Sequence, residues 1–430
     1  MPVQLDVLII GGGAQGLWLL RHLNAKKFKT LLLEKGELGG GQTCHSHGLI
    51  HRGHYYRDVD MLVDLNAAAS FWESLLGTTG LRKLNNRPAI AGFGQVGRAV
   101  VSHHMNLWEQ AGLIFEEKDE DEFPGVLAGG RVKTIFATRE FSLNTKDVVE
   151  KLSGDLRHLI YRLDQRQRNP RIHVNDGAVT RVDAVIGRRR VELDPQVVVM
   201  CAGAGNKDLL DELDLGMQLG EPVQVRRKNH MLLVKGQLPE LTAVFPEPGM
   251  LLGLFICTRS TANEKVWLVS DHRGSGDIDF EEDPDPDPSG EWIQVIVDSL
   301  HDLAPGLSRL RLQWSVYTGL TSERNFGGRK HQDDYFIESF GLRNALVIWP
   351  TKLTLTPLAS QVAVRIVRTL IDTPAGRNLS GYRGIVRQQP AVAKETWEMR
   401  PFRNATAVKT KWMSGPEFQK TYGKFDIMLK

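Results

Sequence analysis

Cysteine is nearly missing from this chain: three residues in 430, Cys44, Cys201 and Cys257. So few and so scattered, they exclude a disulfide framework and fit a reducing compartment. Long hydrophobic runs are missing as well. The first apolar run, "VLII", meets "GGG" at once and is too short for a signal-peptide core, and no later segment has the length of a transmembrane helix. A cytoplasmic location is therefore expected. There is little excess charge, a formal +3, which by itself implies neither a nucleic-acid nor a membrane partner. No internal repeat is visible. The only low-complexity patch, "EEDPDPDPSG" (281–290), reads as an acidic, proline-broken surface loop. What remains is an ordinary globular composition, long enough for two or three domains.

"LDVLIIGGGAQGLWLLRHL" reads as a buried strand over Asp6–Ile10, a glycine turn and a helix. Gly11, Gly13 and Gly16 fit G-x-G-x-x-G, and the next strand, "TLLLE", ends at Glu34. Gly11 permits the tight turn, Gly13 lets backbone approach a pyrophosphate, and Gly16 lets helix and strand pack closely. The helix N-terminus offers N–H groups and a favourable dipole to phosphates, and Glu34 can accept from a ribose hydroxyl. A dinucleotide site follows. Two later stretches choose a long cofactor such as FAD: "VVVMCAGAG" (197–205), a buried strand running into small residues, and "ALVIWPTKLTLTPLASQVAVRIVRTL" (345–370), a strand, a Pro/Thr/Lys turn and an amphipathic helix. Helices are also expected over 61–76 and over 144–156, the latter capped by Asn144; residues 221–340 are rich in strand-like segments.

On these segments, together with "GLIHRGHYY", "RKNHMLLV" (227–234) and "PTKLTLTPLA" (350–359), the chain resembles the D-amino-acid-oxidase-like superfamily of FAD-dependent oxidoreductases over roughly residues 4–375. Its nearest echoes are the L-2-hydroxyglutarate dehydrogenase and glycerol-3-phosphate dehydrogenase branches. The resemblance implies a two-domain α/β (α+β) fold: a Rossmann-like FAD-binding domain and an antiparallel-sheet substrate domain. It implies discontinuous boundaries: residues 1–87, 141–220 and 341–378 for FAD, 88–140 and 221–340 for substrate, and 379–430 as a basic C-terminal extension. The implied FAD-binding residues are Gly11, Gly13, Ala14, Gln15, Gly16, Glu34, Lys35, Gln42, Thr43, His47, Gly48, Leu49, Val179, Ala202, Gly203, Lys352, Leu353 and Thr354. In the hydroxyglutarate branch a serine stands where this chain has His47, so covalent attachment of FAD through His47 or His45 is left open.

In this superfamily a C–H bond beside an alcohol or amine gives a hydride to flavin N5 while the heteroatom loses a proton. His230, whose strand resembles one lying beside the flavin, is the expected base; His51 is an alternative base or a flavin-side donor. Lys352 is expected to favour negative charge on the reduced flavin. The arginines that hold phosphate in the glycerol-phosphate branch are replaced here by Tyr55 and Thr321, which argues against glycerol 3-phosphate itself. Arg52 and Arg324 are candidate anion holders, and Tyr55 and Tyr317 candidate hydroxyl donors to substrate. The expected reaction is oxidation of a small, anionic 2-hydroxy acid or related alcohol, with amine or amino-acid oxidation as the alternative. Electrons would leave to oxygen, a quinone or another protein.

Two readings from other classes compete. "GQTCHSHGLIHRGHYY" (41–56) holds Cys44, His45, His47, His51 and His54, but it has neither H-E-x-x-H nor paired C-x-x-C, and no metal is expected. Residues 381–430 carry ten Lys/Arg against four Asp/Glu, interleaved with Trp397, Phe402, Trp412, Phe418, Tyr422 and Phe425. That pattern suits an RNA-binding or RNA-modifying flavoprotein, or contact with a membrane surface. A packed appendage explains it equally well and is the expectation here.

Overall fold

A computed structural model of the chain describes residues 2–122, 124–164, 169–218, 221–246, 253–271, 275–278, 288, 290–325, 335–371, 388–399 and 413–414. It packs as two compact units: residues 1–44, 145–226 and 320–394 form the first, and 45–144, 227–319 and 395–430 the second. The acidic loop, apart from residues 288 and 290, and the aromatic residues from Phe402 onward lie outside the described residues.

The first unit is built on a mainly parallel sheet. Its strand order is Phe336–Glu338, Ala345–Trp349, Arg189–Met200, Val3–Ile10, Thr30–Glu34 and Ile160–Arg162. Val3–Ile10 lies parallel to both neighbours, and Arg189–Met200 runs parallel to Ala345–Trp349. Strands covered on both faces read as unbroken apolar runs, which is why "DVLII" and "TLLLE" show no alternation; Val7, Leu8, Ile9, Leu31, Leu32 and Leu33 are all fully buried. Asp6 interrupts that run and is buried too, its carboxylate accepting from Lys29 N (2.7 Å) and Gln196 Nε2 (3.1 Å). The strand begins at Val3, ahead of the expected Asp6, because the ladder with Arg189–Met200 extends through Val3. Antiparallel strands Arg171–Asn175 and Ala178–Ile186 extend from Arg189–Met200. Helices Ala14–Ala25, Thr145–Ser153 and Thr356–Leu370 belong to this unit.

The second unit contains a sheet in which Ala89–Phe93, Phe115–Lys118, Thr134–Thr138, Gln224–Gly236, Thr242–Phe245, Leu254–Ser260 and Lys265–Asp271 pair antiparallel with their neighbours, except where Thr242–Phe245 runs parallel to Ala89–Phe93. Helix Gly290–Leu303 lays Ile293, Ile296, Val297, Leu300 and Leu303 against Leu232, Val234, Trp267 and Trp314. Each such fully buried apolar side chain stabilises by about 1.5–3 kcal/mol. Helix Val59–Thr79 starts where the Asp58 side chain accepts from Met61 N (2.9 Å) and is followed by left-handed Gly80. Among the described residues no helix is long and apolar enough to cross a membrane.

The described part of the C-terminal extension is packed. Val392 pairs with Leu38 in a parallel bridge, and Arg157 Nη1 donates to Pro390 O (2.6 Å). Further on, Trp397 packs beside Met231, Leu233, Val266, Leu268 and Tyr317.

Candidate active site

Four distant stretches meet at the carboxyl ends of the parallel strands in the first unit, where ligands bind in open α/β sheets. Ile10, Glu34, Met200 and Trp349 end those strands. Gly11 follows with φ +113°, and a Cβ there would lie 2.5 Å from Cys201 O. A Cβ on Gly16 would lie 1.9 Å from Gly11 O, so only glycine allows the helix to start this close to the turn. Hydrogen bonds tie the later pieces in. Cys201 N donates to Ile10 O (2.7 Å), and Asn206 links Ala202 N (2.8 Å) to Ile348 O (3.3 Å). Gln224 donates to Gly203 O (3.3 Å) and accepts from Trp349 Nε1 (2.9 Å). Gln15 Nε2 donates to Ser360 Oγ (2.8 Å), joining the first turn of one helix to the helix that follows Lys352, Leu353 and Thr354.

Glu34 closes the cradle. Its Oε2 accepts from Gly12 N and its Oε1 from Gly36 N, both at 2.6 Å. A carboxylate has about four acceptor sites, so ribose hydroxyls can still be accepted. Thr43 Oγ1 accepts from Ala14 N (3.1 Å), and Gly205 makes room for Lys35 Nζ, which a Cβ there would approach to 3.4 Å. Gln42 lies half-buried just before Thr43. The first turn of helix Ala14–Ala25 carries no acid, and among the described residues Gln15 Oε1 is a buried acceptor that makes no hydrogen bond. These residues fit the adenosine and pyrophosphate portion of FAD. Val179 N–H donates to Asn344 Oδ1 (2.7 Å) and its carbonyl accepts from Asn344 Nδ2 (2.9 Å).

The histidine-rich stretch from His45 onward belongs to the second unit, and its histidines have separate surroundings. His45 O accepts from Tyr317 Oη (2.9 Å). His47 stacks on Phe255, centroids 5.8 Å apart, and its Nδ1 accepts from Leu49 N (3.2 Å). Burial, and then the Arg259 charge, push its pKa down to about 4, so the ring is neutral with its proton on Nε2. Gly48 O accepts from Leu143 N and Leu49 pairs with Ser142, so these two residues build the loop's own ladder. His51 is buried against Tyr56, 5.3 Å between centroids. Among the described residues no three His, Cys, Asp or Glu side chains are grouped to hold a metal ion.

His230 is buried with its Nδ1 2.8 Å from Thr318 Oγ1, and Trp292 meets the ring edge-on at 4.9 Å. The hydroxyl fixes the ring's rotation. The expected substrate holders all have protein partners. The Arg52 guanidinium pairs with Glu73 Oε2 (2.8 Å) and donates to Asn66 Oδ1 (2.7 Å) and Arg139 O (3.4 Å). Arg324 pairs with Glu338 Oε1 (2.9 Å) and donates to Val223 O, Asn325 O and Gln218 Oε1. Both are internal struts rather than open forks. Tyr317 is tied to His45, and Tyr55 packs its ring 4.6 Å from Phe255 with its hydroxyl over Gly253.

Three residues escaped sequence reasoning. Thr318 holds His230. Glu140 lies fully buried 3.2 Å from His54 Nδ1. Arg259, 1 % exposed, grips Glu395 through Nε–Oε2 (2.9 Å) and Nη2–Oε1 (3.1 Å) and donates to His47 O (3.0 Å) and Leu143 O (3.1 Å). For Arg259 the available signal was a charge following the apolar strand-like run "LFIC".

A family model described as FAD dependent oxidoreductase (DAO) matches residues 6–348. The probable FAD-dependent oxidoreductase PA4991 of Pseudomonas aeruginosa is 28% identical over 387 residues, covering 84% of this chain and 90% of that protein. Its crystal structure superposes with a TM-score of 0.69 over 93% of this chain and 98% of that one, at 23% identity. Anaerobic glycerol-3-phosphate dehydrogenase subunit A1 of Haloferax volcanii is 24% identical over 344 residues, 72% of this chain and 53% of that protein. Glycine oxidase from Geobacillus kaustophilus shares the fold, with a TM-score of 0.65 over 90% of this chain and 99% of that one, at 15% identity.

Proposed function

The chain belongs to the DAO family of FAD-dependent oxidoreductases, and from that premise we propose that it oxidises a small, anionic 2-hydroxy acid or a related alcohol. When bound, FAD supplies the acceptor for the two electrons of the substrate C–H bond. The cradle of Gly11, Gly13, Gly16 and Glu34 would hold its adenosine and pyrophosphate, and Lys352 would favour negative charge on its reduced ring.

The observation that carries the reading is the buried His230–Thr318 pair. An alcohol loses its hydroxyl proton as its C–H bond breaks, and His230, its ring held at Nδ1 by Thr318, takes that proton. His51 serves as a flavin-side hydrogen-bond donor. Lys228, two residues before His230 and so on the same face of strand Gln224–Gly236, is the cation assigned to the substrate's charge.

Exchange of His230 for Asn tests the assignment. General-base removal lowers the rate by roughly 10²–10⁴-fold, so His230→Asn should take up FAD and melt like the wild type while its anaerobic reduction by a 2-hydroxy acid slows by that factor. Reduction at the wild-type rate would remove His230 from the mechanism.

A further inference from the structure

Glu140 and His54 are fully buried titratable groups that the oxidation itself does not use. Glu140 Oε1 accepts from the backbone N–H of Arg52 (3.1 Å) and of His54 (3.3 Å), and it lies 3.2 Å from His54 Nδ1. One oxygen thereby closes the turn from His51 to His54, in which Gly53 has a φ of +113°. On the other side of His51, Ile50 pairs with Phe141. The backbone is thus held immediately before His51 by Phe141 and immediately after it by Glu140.

Packing alone does not account for these groups. Among the described residues His54 Nε2, Glu140 Oε2 and Ser142 Oγ are buried and make no hydrogen bond. Apolar side chains would fill the same space without leaving polar atoms unpaired, and a buried carboxylate is tolerated only where positive charge and donors compensate it. Here they do: against the desolvation that burial imposes, the His54 hydrogen bond and the charges of His54 and His51 hold the Glu140 carboxyl below its ordinary range. It is an anion buried at the His51–His54 turn.

We propose that Glu140 is a positioning residue for His51: it seats the turn that carries His51 and, as a negative charge buried at that turn, raises the proton affinity of the His51 ring. The proposal rests on the donor role given to His51 above. Its test is a pH titration of the His51 ring by ¹⁵N NMR in FAD-loaded protein labelled at histidine, with the His51→Gln spectrum identifying the signal. Glu140→Gln, which keeps the shape and removes the charge, should lower the His51 midpoint by about one pH unit or more, a tenfold loss of proton affinity, with the flavin spectrum unchanged. Glu140→Asp, which keeps the charge, should recover most of the shift. A His51 midpoint unmoved in Glu140→Gln overturns the proposal. Should that variant not fold, the same titration in Glu140→Leu decides, and an unmoved midpoint there overturns it too. The His51 role is checked separately: unchanged flavin reduction in His51→Gln would sink that reading, while the titration still reports on Glu140.

Discussion

Loss of the Glu395 carboxylate is the perturbation whose size follows most directly from the structure. Both partners of the Arg259–Glu395 pair are 1 % exposed and meet through two hydrogen bonds. Glu395→Ala leaves a guanidinium buried without its counter-charge, a change that destabilises by about 3–5 kcal/mol. At roughly 2–4 °C per kcal/mol, the melting temperature should fall by on the order of 10 °C. The same Arg259 donates to the carbonyls of His47 and Leu143, so the histidine loop should loosen with it. The assay is thermal and denaturant melting of FAD-loaded protein, together with the double variant Arg259→Met/Glu395→Leu. Replacing both charges by apolar groups is often neutral, so the double variant should recover much of the loss. A Glu395→Ala protein that melts with the wild type, or a double variant worse than the single, would refute the reasoning.

Two further outcomes are expected. Glu34→Ala removes a charged acceptor for ribose; at about 1.5–3 kcal/mol for such hydrogen bonds, FAD affinity should fall by roughly 10–150-fold when apoprotein is titrated with FAD, and unchanged affinity would remove Glu34 from the cradle. Burial, then the charges of Arg57 and His103, push His104 down to about 4. The unfolded chain takes up this proton near pH 6.5 and the folded chain only near pH 4, so stability is lost as pH falls through that window, by roughly 3 kcal/mol at its foot. Replacing His104 with Leu should flatten the melting temperature between those limits; an unaltered slope would count against its burial as a neutral ring.

Much of the first unit was legible because its signals are local. The apolar runs of Val3–Ile10 and Thr30–Glu34, the glycines between them and the terminal Glu34 act over a few residues each, and spacing alone carries them. Charged side chains were less legible, because their partners are set by topology. Arg259 meets Glu395 from 136 residues away, and Glu140 meets His54 from 86. The same holds for Arg52 and Arg324, which meet Glu73 and Glu338 only once the chain has folded. Val179 is a like case: nothing in its surroundings in sequence announces the Asn344 amide that bonds both its backbone groups.

The central claim is FAD-dependent oxidation of a small anionic 2-hydroxy acid, and anaerobic mixing tests it most directly. The purified holoprotein is mixed with panels of 2-hydroxy acids, polyol phosphates and amino acids while the flavin absorbance is followed. Bleaching by at least one 2-hydroxy acid, and not by the matching amino acid, is the expected result. Bleaching by amino acids alone, or a well-folded preparation that takes up no flavin, would contradict it.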